Sequence, residues 1–514
     1  MEKKTPMKNI MLKASVIMTA IMFAARFLGY AFHYTFVRFF STQDYGSFVY
    51  LWSLAMFYGG LLPNISVAVA RYVAYYRGAK DEDGIESTIR TSIVLNAVLL
   101  FLACAILSLA YILGFFNMDG LSFAFMLAVI VLTLTTNLFS GVFSGFRKPE
   151  MATFFNLVQN VLRLLAVLAA AYLTASYIGI LWLVGVSFLI STCMLVVWAL
   201  REYGTGSRPD IGIGRVLLGF GFFSIVLITA NNMLAWAAIF MLKYFEGATN
   251  VAIYNVAWLA STGCLLFFTA ILQIFSPVVS EMFGSKRLGQ VGYVTSYILE
   301  SFFLLFLPIF LAISLFARQL LVVFVRSEYA GGAVPLQILS AGAFMFGIAI
   351  LFIELTNCEG KPQVNARNIS VGAALNIAMN YLLIPGYGMI GAALSSVVSS
   401  AAILLMSYWH VRGFVKLSYS PARLLKIFLS SAAAIAAVYA VNIVPMHELA
   451  SIIVLSLTLV AVYSAAIIWL KALRVEDVES ALMILNKAKT PAKIKASVMS
   501  VLQSAVTPTP AHRP

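Results

Sequence analysis

The stretch Thr91–Gly114, TSIVLNAVLLFLACAILSLAYILG, carries no charged residue. At 1.5 Å per residue a helix over it is roughly 36 Å long, enough to cross a hydrocarbon core of about 30 Å. In water such a segment would need cover on every side. In lipid it needs only its own backbone hydrogen bonds, which a helix supplies. Working outward, comparable runs lie near 12–36, 46–70, 121–145, 153–174, 178–200, 214–243, 250–276, 293–317, 333–357, 367–384, 389–411, 424–442 and 449–471. The whole chain agrees with its parts: 62% of its 514 residues are hydrophobic, 11% are charged, and the mean hydropathy is +0.95. The expected fold class is all-α, a polytopic membrane protein with about fourteen transmembrane helices. The basic, then apolar start resembles a secretion signal. Its length, its lack of a small-residue cleavage site and Arg26 in its middle make it the first spanning helix instead.

The cations set the orientation. With the N-terminus inside, 28 of the 34 lysines and arginines fall in cytoplasmic segments. Four, Arg38, Lys243, Arg318 and Arg326, fall in outer loops. Positive residues collect on the cytoplasmic side, so both termini are expected in the cytoplasm and the chain in the cytoplasmic membrane. Two cations, Arg26 and Arg163, remain inside helices. The net charge of +14 does not indicate nucleic acid, because the basic residues sit at the ends of apolar runs rather than on one patch. The loops leave no room for an inserted soluble domain. Cys104, Cys193, Cys264 and Cys358 are far apart, without a CxxC pair, and read as buried thiols rather than metal ligands.

Gly145-Phe-Arg-Lys-Pro-Glu150 precedes the fifth span and Glu359-Gly-Lys-Pro-Gln363 the eleventh, so Lys148-Pro149 and Lys361-Pro362 stand 213 residues apart at the same inner boundary. Tyr177-Ile-Gly179 recurs as Tyr387-Gly-Met-Ile-Gly391, and Asp44-Tyr-Gly-Ser-Phe-Val-Tyr50 is echoed in Asn250-Val-Ala-Ile-Tyr254. Three matches in one order at nearly one offset predict two pseudo-symmetric six-helix lobes of like orientation, with two helices appended. The expected divisions are a cytoplasmic N-terminus at 1–11, an N-lobe at 12–200, a C-lobe at 214–411, the last two spans at 424–471 and a cytoplasmic tail at 472–514. Lys487, Lys489, Lys493 and Lys495 suit that tail either to anionic lipid heads or to water.

Some of these residues also carry a family likeness. Phe40-Ser-Thr-Gln-Asp-Tyr-Gly46 opens the second span, Ala68-Val-Ala-Arg-Tyr-Val-Ala74 closes it, and Gly360-Lys-Pro precedes the eleventh. Asn380-Tyr-Leu-Leu-Ile-Pro-Gly-Tyr-Gly-Met-Ile-Gly-Ala-Ala393 joins the eleventh to the twelfth. In this order and spacing, over helices 1–12, the chain resembles the polysaccharide-biosynthesis branch of the MOP superfamily. These are the Wzx-like flippases, related to MurJ and the MATE exporters. The resemblance implies a two-lobed transporter with a central cavity that opens alternately to each side. It also implies a role for an arginine of the first helix, which Arg26 matches.

A charge at mid-bilayer costs about 2.5–3.5 kcal/mol on the insertion scale and should face the bundle or a wet cavity. Arg26, Tyr30 and His33 lie near one stripe of helix 1. Arg163 lies roughly 15 Å into helix 5, with Asn156, Gln159 and Asn160 in the two turns before it; its repeat counterpart is Asn376. Guanidinium suits phosphate. The structural alternative for each arginine is a carboxylate or carbonyl partner, and for the amides a hydrogen bond between helices. Asn64 beside Pro63 in helix 2, Asn231 and Asn232 in helix 7, Asn255 in helix 8 and Arg71 at the inner boundary complete the candidate substrate contacts. Glu300 in helix 9 is the candidate coupling residue, with an arginine partner or the inner interface as its structural alternatives.

The expected function is flipping of a polyprenyl-(pyro)phosphate-linked oligosaccharide from the inner to the outer leaflet, for surface polysaccharide or glycan assembly. Cavity arginines hold the phosphate, and polar and aromatic side chains line the path of the sugar. No GxxxxGK[ST] loop is present, so no nucleotide cofactor is expected. Proton or sodium coupling, membrane potential and mass action stay open. The partners expected are the lipid-linked glycan, membrane lipid and the glycosyltransferases or polymerase of the same pathway, with a monomer as the working unit. One alternative is a MATE-type cation-coupled multidrug exporter, which calls for carboxylates within the lobes where this chain has Arg26. The other is a polytopic glycosyltransferase or polymerase, for which the loops offer only scattered acids and no paired catalytic or metal-binding set.

Overall fold

A peptide group inside hydrocarbon has no water to bond, so each crossing segment must close its own hydrogen bonds. All the regular elements among the described residues are accordingly helical. The structure, a computed structural model, describes residues 5–62, 65–174, 176–203, 208–442 and 448–479. In chain order the helices are α1 (Thr5–Phe39), α2 (Thr42–Gly60), α3 (Ser66–Ala79), α4 (Glu82–Ile112), α5 (Gly120–Gly145), α6 (Pro149–Tyr172), α7 (Tyr177–Tyr203) and α8 (Ile211–Phe245). They continue with α9 (Ala248–Thr262), α10 (Leu265–Gly284), α11 (Leu288–Leu315), α12 (Ala333–Cys358), α13 (Pro362–Arg412), α14 (Pro421–Val441) and α15 (Glu448–Trp469).

Ten segments among the described residues are long and apolar enough to cross a membrane. One of them, α13, is a hairpin and crosses twice. Its limbs reverse at Gly388, whose φ of 54° and ψ of −131° suit only a residue without Cβ. Across the hairpin Asn376 Nδ2 donates to Ser399 Oγ at 3.2 Å. Helices α1 and α8, each 35 residues long, and the pair α2 and α3 fall on three more of the apolar runs read from the sequence. Pro63 and Asn64 lie outside the described residues, as does the tail beyond residue 479.

The repeated Lys-Pro proves to be one structural device used twice. Lys148 (φ −121°, ψ 48°) caps α6 and Lys361 (φ −117°, ψ 57°) caps α13, each with proline in the first helical turn, where its missing N–H costs nothing. Before each lysine stands a left-handed residue, Arg147 (φ 59°) or Gly360 (φ 86°). The lysine N–H closes the preceding helix, reaching Phe143 O at 2.9 Å in one half and Thr356 O at 3.2 Å in the other. A second correspondence went unread in the sequence: Lys80 and Lys286, both left-handed, end α3 and α10 with the same backbone pattern.

By its internal contacts the chain divides into Met1–Leu259 with Ala366–Ser399, and Ala260–Asn365 with Ser400–Pro514. The first unit has a core in which Val69 and Val73 of α3, Phe139 and Phe143 of α5, Phe155 of α6 and Leu195 of α7 are all buried. In the second, Phe268 of α10 and Phe302 and Phe306 of α11 stack with Phe344 of α12. The cysteines need one correction. Cys193 is exposed and the other three are only half-buried, because an apolar thiol on a lipid-facing helix needs no protein cover.

Candidate functional site

Within the first unit, α1, α2, α6, α8 and α9 surround a cavity of about 110 Å³. Its walls are His33 (α1), Phe48, Val49 and Trp52 (α2), Arg163 (α6), Trp236 (α8), and Asn255, Trp258 and Leu259 (α9). Four of the nine are aromatic, three of them tryptophan.

Arg163 is the chemical centre. Its guanidinium carbon lies 4.3 Å from the centroid of Phe32 and 4.5 Å from that of Trp52. A desolvated cation over an aromatic face gains about 2 kcal/mol, which helps to hold a charge that no carboxylate neutralises. Nε is buried without a partner, and Arg163 forms no ion pair with a described residue. A guanidinium stacked on rings keeps its N–H donors in its own plane, and these are the bonds a phosphoryl or carboxylate oxygen accepts. The three tryptophans offer flat apolar faces beside it, the surface on which the C–H face of a sugar ring packs.

His33 is fixed from behind. Its Nδ1 lies 3.0 Å from the Tyr45 hydroxyl, which in turn accepts from Asn255 Nδ2 at 2.7 Å. Tyr45 is fully buried and Asn255 nearly so. The chain joins α1, α2 and α9. Gly46, the next residue, explains part of the Asp44-Tyr-Gly motif: a Cβ there would sit 1.8 Å from Ala248 O, so only glycine lets α2 come this close to the start of α9.

Three residues singled out in the sequence, His33, Arg163 and Asn255, therefore meet at one cavity. The others fall elsewhere. Arg26 is exposed, pairs with no described residue, and lies about 10 Å toward the N-terminal end of α1 from His33 on the same stripe. Tyr30 is half-buried and makes contacts within the chain. Asn232 is an inter-helix tie, donating to Met56 O at 2.9 Å, and exposed Asn231 on the next position also has a partner. Arg71 is exposed on α3 and likewise engaged. Asn64 lies outside the described residues.

Glu300, in the second unit, is fully buried and saturated. It accepts from Arg423 Nη1 at 2.6 Å, Arg474 Nη2 at 2.7 Å and Ser420 N–H at 2.6 Å. Asp477 accepts from the second Arg423 nitrogen and, at 2.8 Å, from Arg474 N–H. The arginine partner weighed for Glu300 is thus present twice over.

Phe32, Trp52, Trp236, Trp258 and Tyr45 were not singled out in the sequence. One signal was available. Tryptophans of membrane helices concentrate at the two interfaces, whereas Trp52 stands roughly 15 Å along α2 from its first residue.

No family model matches the chain. Among curated proteins it is 22% identical over 234 residues to one named as a probable low-salt glycan biosynthesis flippase, Agl15, of Haloferax volcanii. That stretch is 45% of this chain and 50% of the relative, so the chain spans about half of Agl15. Among solved structures, the lipid II flippase MurJ in an inward closed conformation matches with a TM-score of 0.72 at 14% identity, over 88% of this chain and 98% of that one. A multidrug resistance MATE family transporter of the MOP superfamily, inward-facing, matches with a TM-score of 0.63 at 14% identity, over 78% and 98%. The chain is a multi-pass membrane protein with the fold of the MOP superfamily transporters. Its similarity to a named glycan flippase supports the Wzx-like resemblance seen in its motifs.

Proposed function

We propose that the chain flips a polyprenyl-(pyro)phosphate-linked oligosaccharide from the inner to the outer leaflet by alternating access. Arg163 holds the phosphate, and Trp52, Trp236 and Trp258 pack against the sugar. The observation that carries this reading is a guanidinium without a counter-ion, stacked on aromatic rings at a cavity wall. The cavity volume of about 110 Å³ fits one phosphate or part of one sugar, not an oligosaccharide, so the site grips the linkage region while the lipid tail stays in the bilayer. Arg26, two turns nearer the cytoplasmic end of α1, is a first contact for an incoming anion. The reading takes both termini as cytoplasmic, the six-helix lobes 12–200 and 214–411 as the moving halves, a monomer as the working unit, and glycosyltransferases or a polymerase of the same pathway as neighbours. No catalysis is assigned to the chain.

The multidrug-exporter alternative has the sign of the cavity against it: no carboxylate is among its lining residues. Reconstitution into liposomes with a fluorescent polyprenyl-diphosphate sugar tests the choice. Wild type is expected to expose the label at the outer face, and Arg163→Ala to lose at least tenfold in rate. A protein that pumps a cationic dye and leaves the labelled lipid in place overturns the proposal.

A further inference from the structure

We propose that His33 is a proton site linked to cargo: it binds one proton as the phosphate arrives beside Arg163 and releases it when the cargo leaves. This rests on the phosphate reading above and adds a coupling ion to it. The hydrogen-bond chain defines the empty state. Asn255 Nδ2 donates to the Tyr45 oxygen, and we take the empty state as the tautomer in which the Tyr45 hydrogen is the one shared with His33 Nδ1. In that tautomer Nδ1 is the bare nitrogen, and neutral His33 carries its hydrogen on Nε2.

The groups facing His33 leave it as the one that can change charge. From α6 comes Arg163, which remains a cation. From α2 come Tyr45, Phe48 and Trp52, from α8 Trp236, and from α9 Asn255 and Trp258. Asp44, next to Tyr45, is occupied by the Ser41 hydroxyl at 2.6 Å, and Arg26 stands two turns away on the same helix. The cavity thus offers one fixed positive charge. A sugar diphosphate diester brings two negative charges, and one more positive charge at the wall balances it.

The proton comes from water and adds to Nδ1. The Tyr45 hydroxyl turns its own hydrogen away and accepts from His33 as well as from Asn255, which fills its two lone pairs. No other bond changes. Because Tyr45 lies on α2 and Asn255 on α9, the reversal changes the bonding among three helices when the cargo binds.

The test is calorimetric binding of a diphosphate-linked monosaccharide on a short polyprenyl chain to the full-length protein in detergent. Two buffers of different ionisation enthalpy are used at one pH, so that their difference gives the protons taken up. A diphosphate diester keeps both charges across the range, so the cargo does not contribute. Wild type should take up close to one proton, with affinity falling about tenfold per pH unit between the free and cargo-bound midpoints of His33. His33→Gln should take up none and bind with no slope. Tyr45→Phe keeps the imidazole but removes the hydroxyl that accepts from the charged ring, a stronger bond than the one it gives to the neutral ring, so its midpoint should move to lower pH; this arm stands if His33→Gln does not fold. No proton uptake in wild type, or the same uptake in His33→Gln, overturns the proposal. Binding unchanged in Arg163→Ala instead overturns the phosphate reading beneath it.

Discussion

Replacing Glu300 with glutamine tests whether it is a strut or a proton carrier. The carboxylate is fully buried and takes hydrogen bonds from Arg423, Arg474 and the Ser420 N–H. Arg423 is 6% exposed and also donates from Nε to Ala472 O at 2.9 Å. The network therefore joins α11 to the first turn of α14 and to the segment after α15, all within the second unit. Glutamine keeps the shape but removes the charge, leaving two arginines to share Asp477. Breaking a buried pair on one side costs about 3–5 kcal/mol. At roughly 2–4 °C per kcal/mol for a unit of this size, the apparent Tm should fall by about 10 °C. Heating followed by size-exclusion chromatography with fluorescence detection reads it. In a double-mutant cycle, Arg423→Gln should cost less in the Glu300→Gln background than alone, by over about 1 kcal/mol. A Tm within about 2 °C of wild type, or strict additivity in the cycle, would refute the strut. Loss of a pH-dependent transport step at unchanged Tm would restore Glu300 as a coupling site.

Three further outcomes follow from particular contacts. Gly388→Ala should lower the apparent Tm and the yield of folded protein: a left-handed residue with Cβ costs about 1–2 kcal/mol, and that Cβ would lie 1.9 Å from Glu246 Oε1. Glu246→Ala in the same chain relieves the clash but not the backbone, so Tm should recover only in part. Glu246 itself, in the loop between α8 and α9, has its carboxyl pushed above the ordinary 4.5 by burial, against hydrogen bonds from Asn250 and the Met389 N–H. A raised acid favours the folded state below about 4.5, and that advantage is lost as pH climbs through the raised value. Wild type should thus lose Tm relative to Glu246→Gln as pH rises above about 4.5, and parallel Tm curves would contradict this. Trp52→Ala removes one of the two rings on Arg163 and one sugar-facing surface; flipping of the labelled lipid should fall about tenfold, near the 1.4 kcal/mol expected of a partly desolvated stack. An unchanged rate would remove Trp52 from the site.

What the sequence conveyed and what it did not divide along physical lines. Charge-free runs located the crossings because lipid tolerates little else, and Arg163 stood out because a charge there is costly. Hydropathy marks only the part of a helix in lipid, so α4 begins at Glu82 rather than at Thr91, its first turns being polar and capped by Asp81, which accepts from Gly84 N–H at 2.8 Å. The cavity was only half legible. Phe32, Trp52, Trp236 and Trp258 lie on four helices and look, singly, like ordinary apolar positions; only folding brings the tryptophans round one cavity and Phe32 and Trp52 over one guanidinium. Arg423 misled in the opposite way. Counted with the inner loops, it is in fact buried against Glu300, 123 residues earlier, and no local pattern indicates a partner that distant.

The internal repeat gives an independent reason to regard Arg163 as a working residue. Its counterpart Asn376 is wholly used within its own hairpin: it donates to Ser399 and accepts from Asn380 Nδ2 at 2.8 Å. Measured from Gly179 and Gly391, Ser399 corresponds to Ser187, and each hydroxyl donates to the carbonyl three residues back, Ser396 O at 3.0 Å and Val184 O at 2.7 Å. At the offset of Lys148 and Lys361, however, Asn380 corresponds to Val167. The first half has therefore kept the serine and lost the amide that would have tied position 163 into the hairpin. In place of a short amide it carries a long cation that reaches out to Phe32 and Trp52. An arginine serving only to join helices would be expected to find a carboxylate or carbonyl, as Arg423 does. Arg163 has neither among the described residues. One scaffold, built twice, holds a satisfied amide in one copy and an unsatisfied cation in the other, and the second is the arrangement that has a bond left to give a ligand.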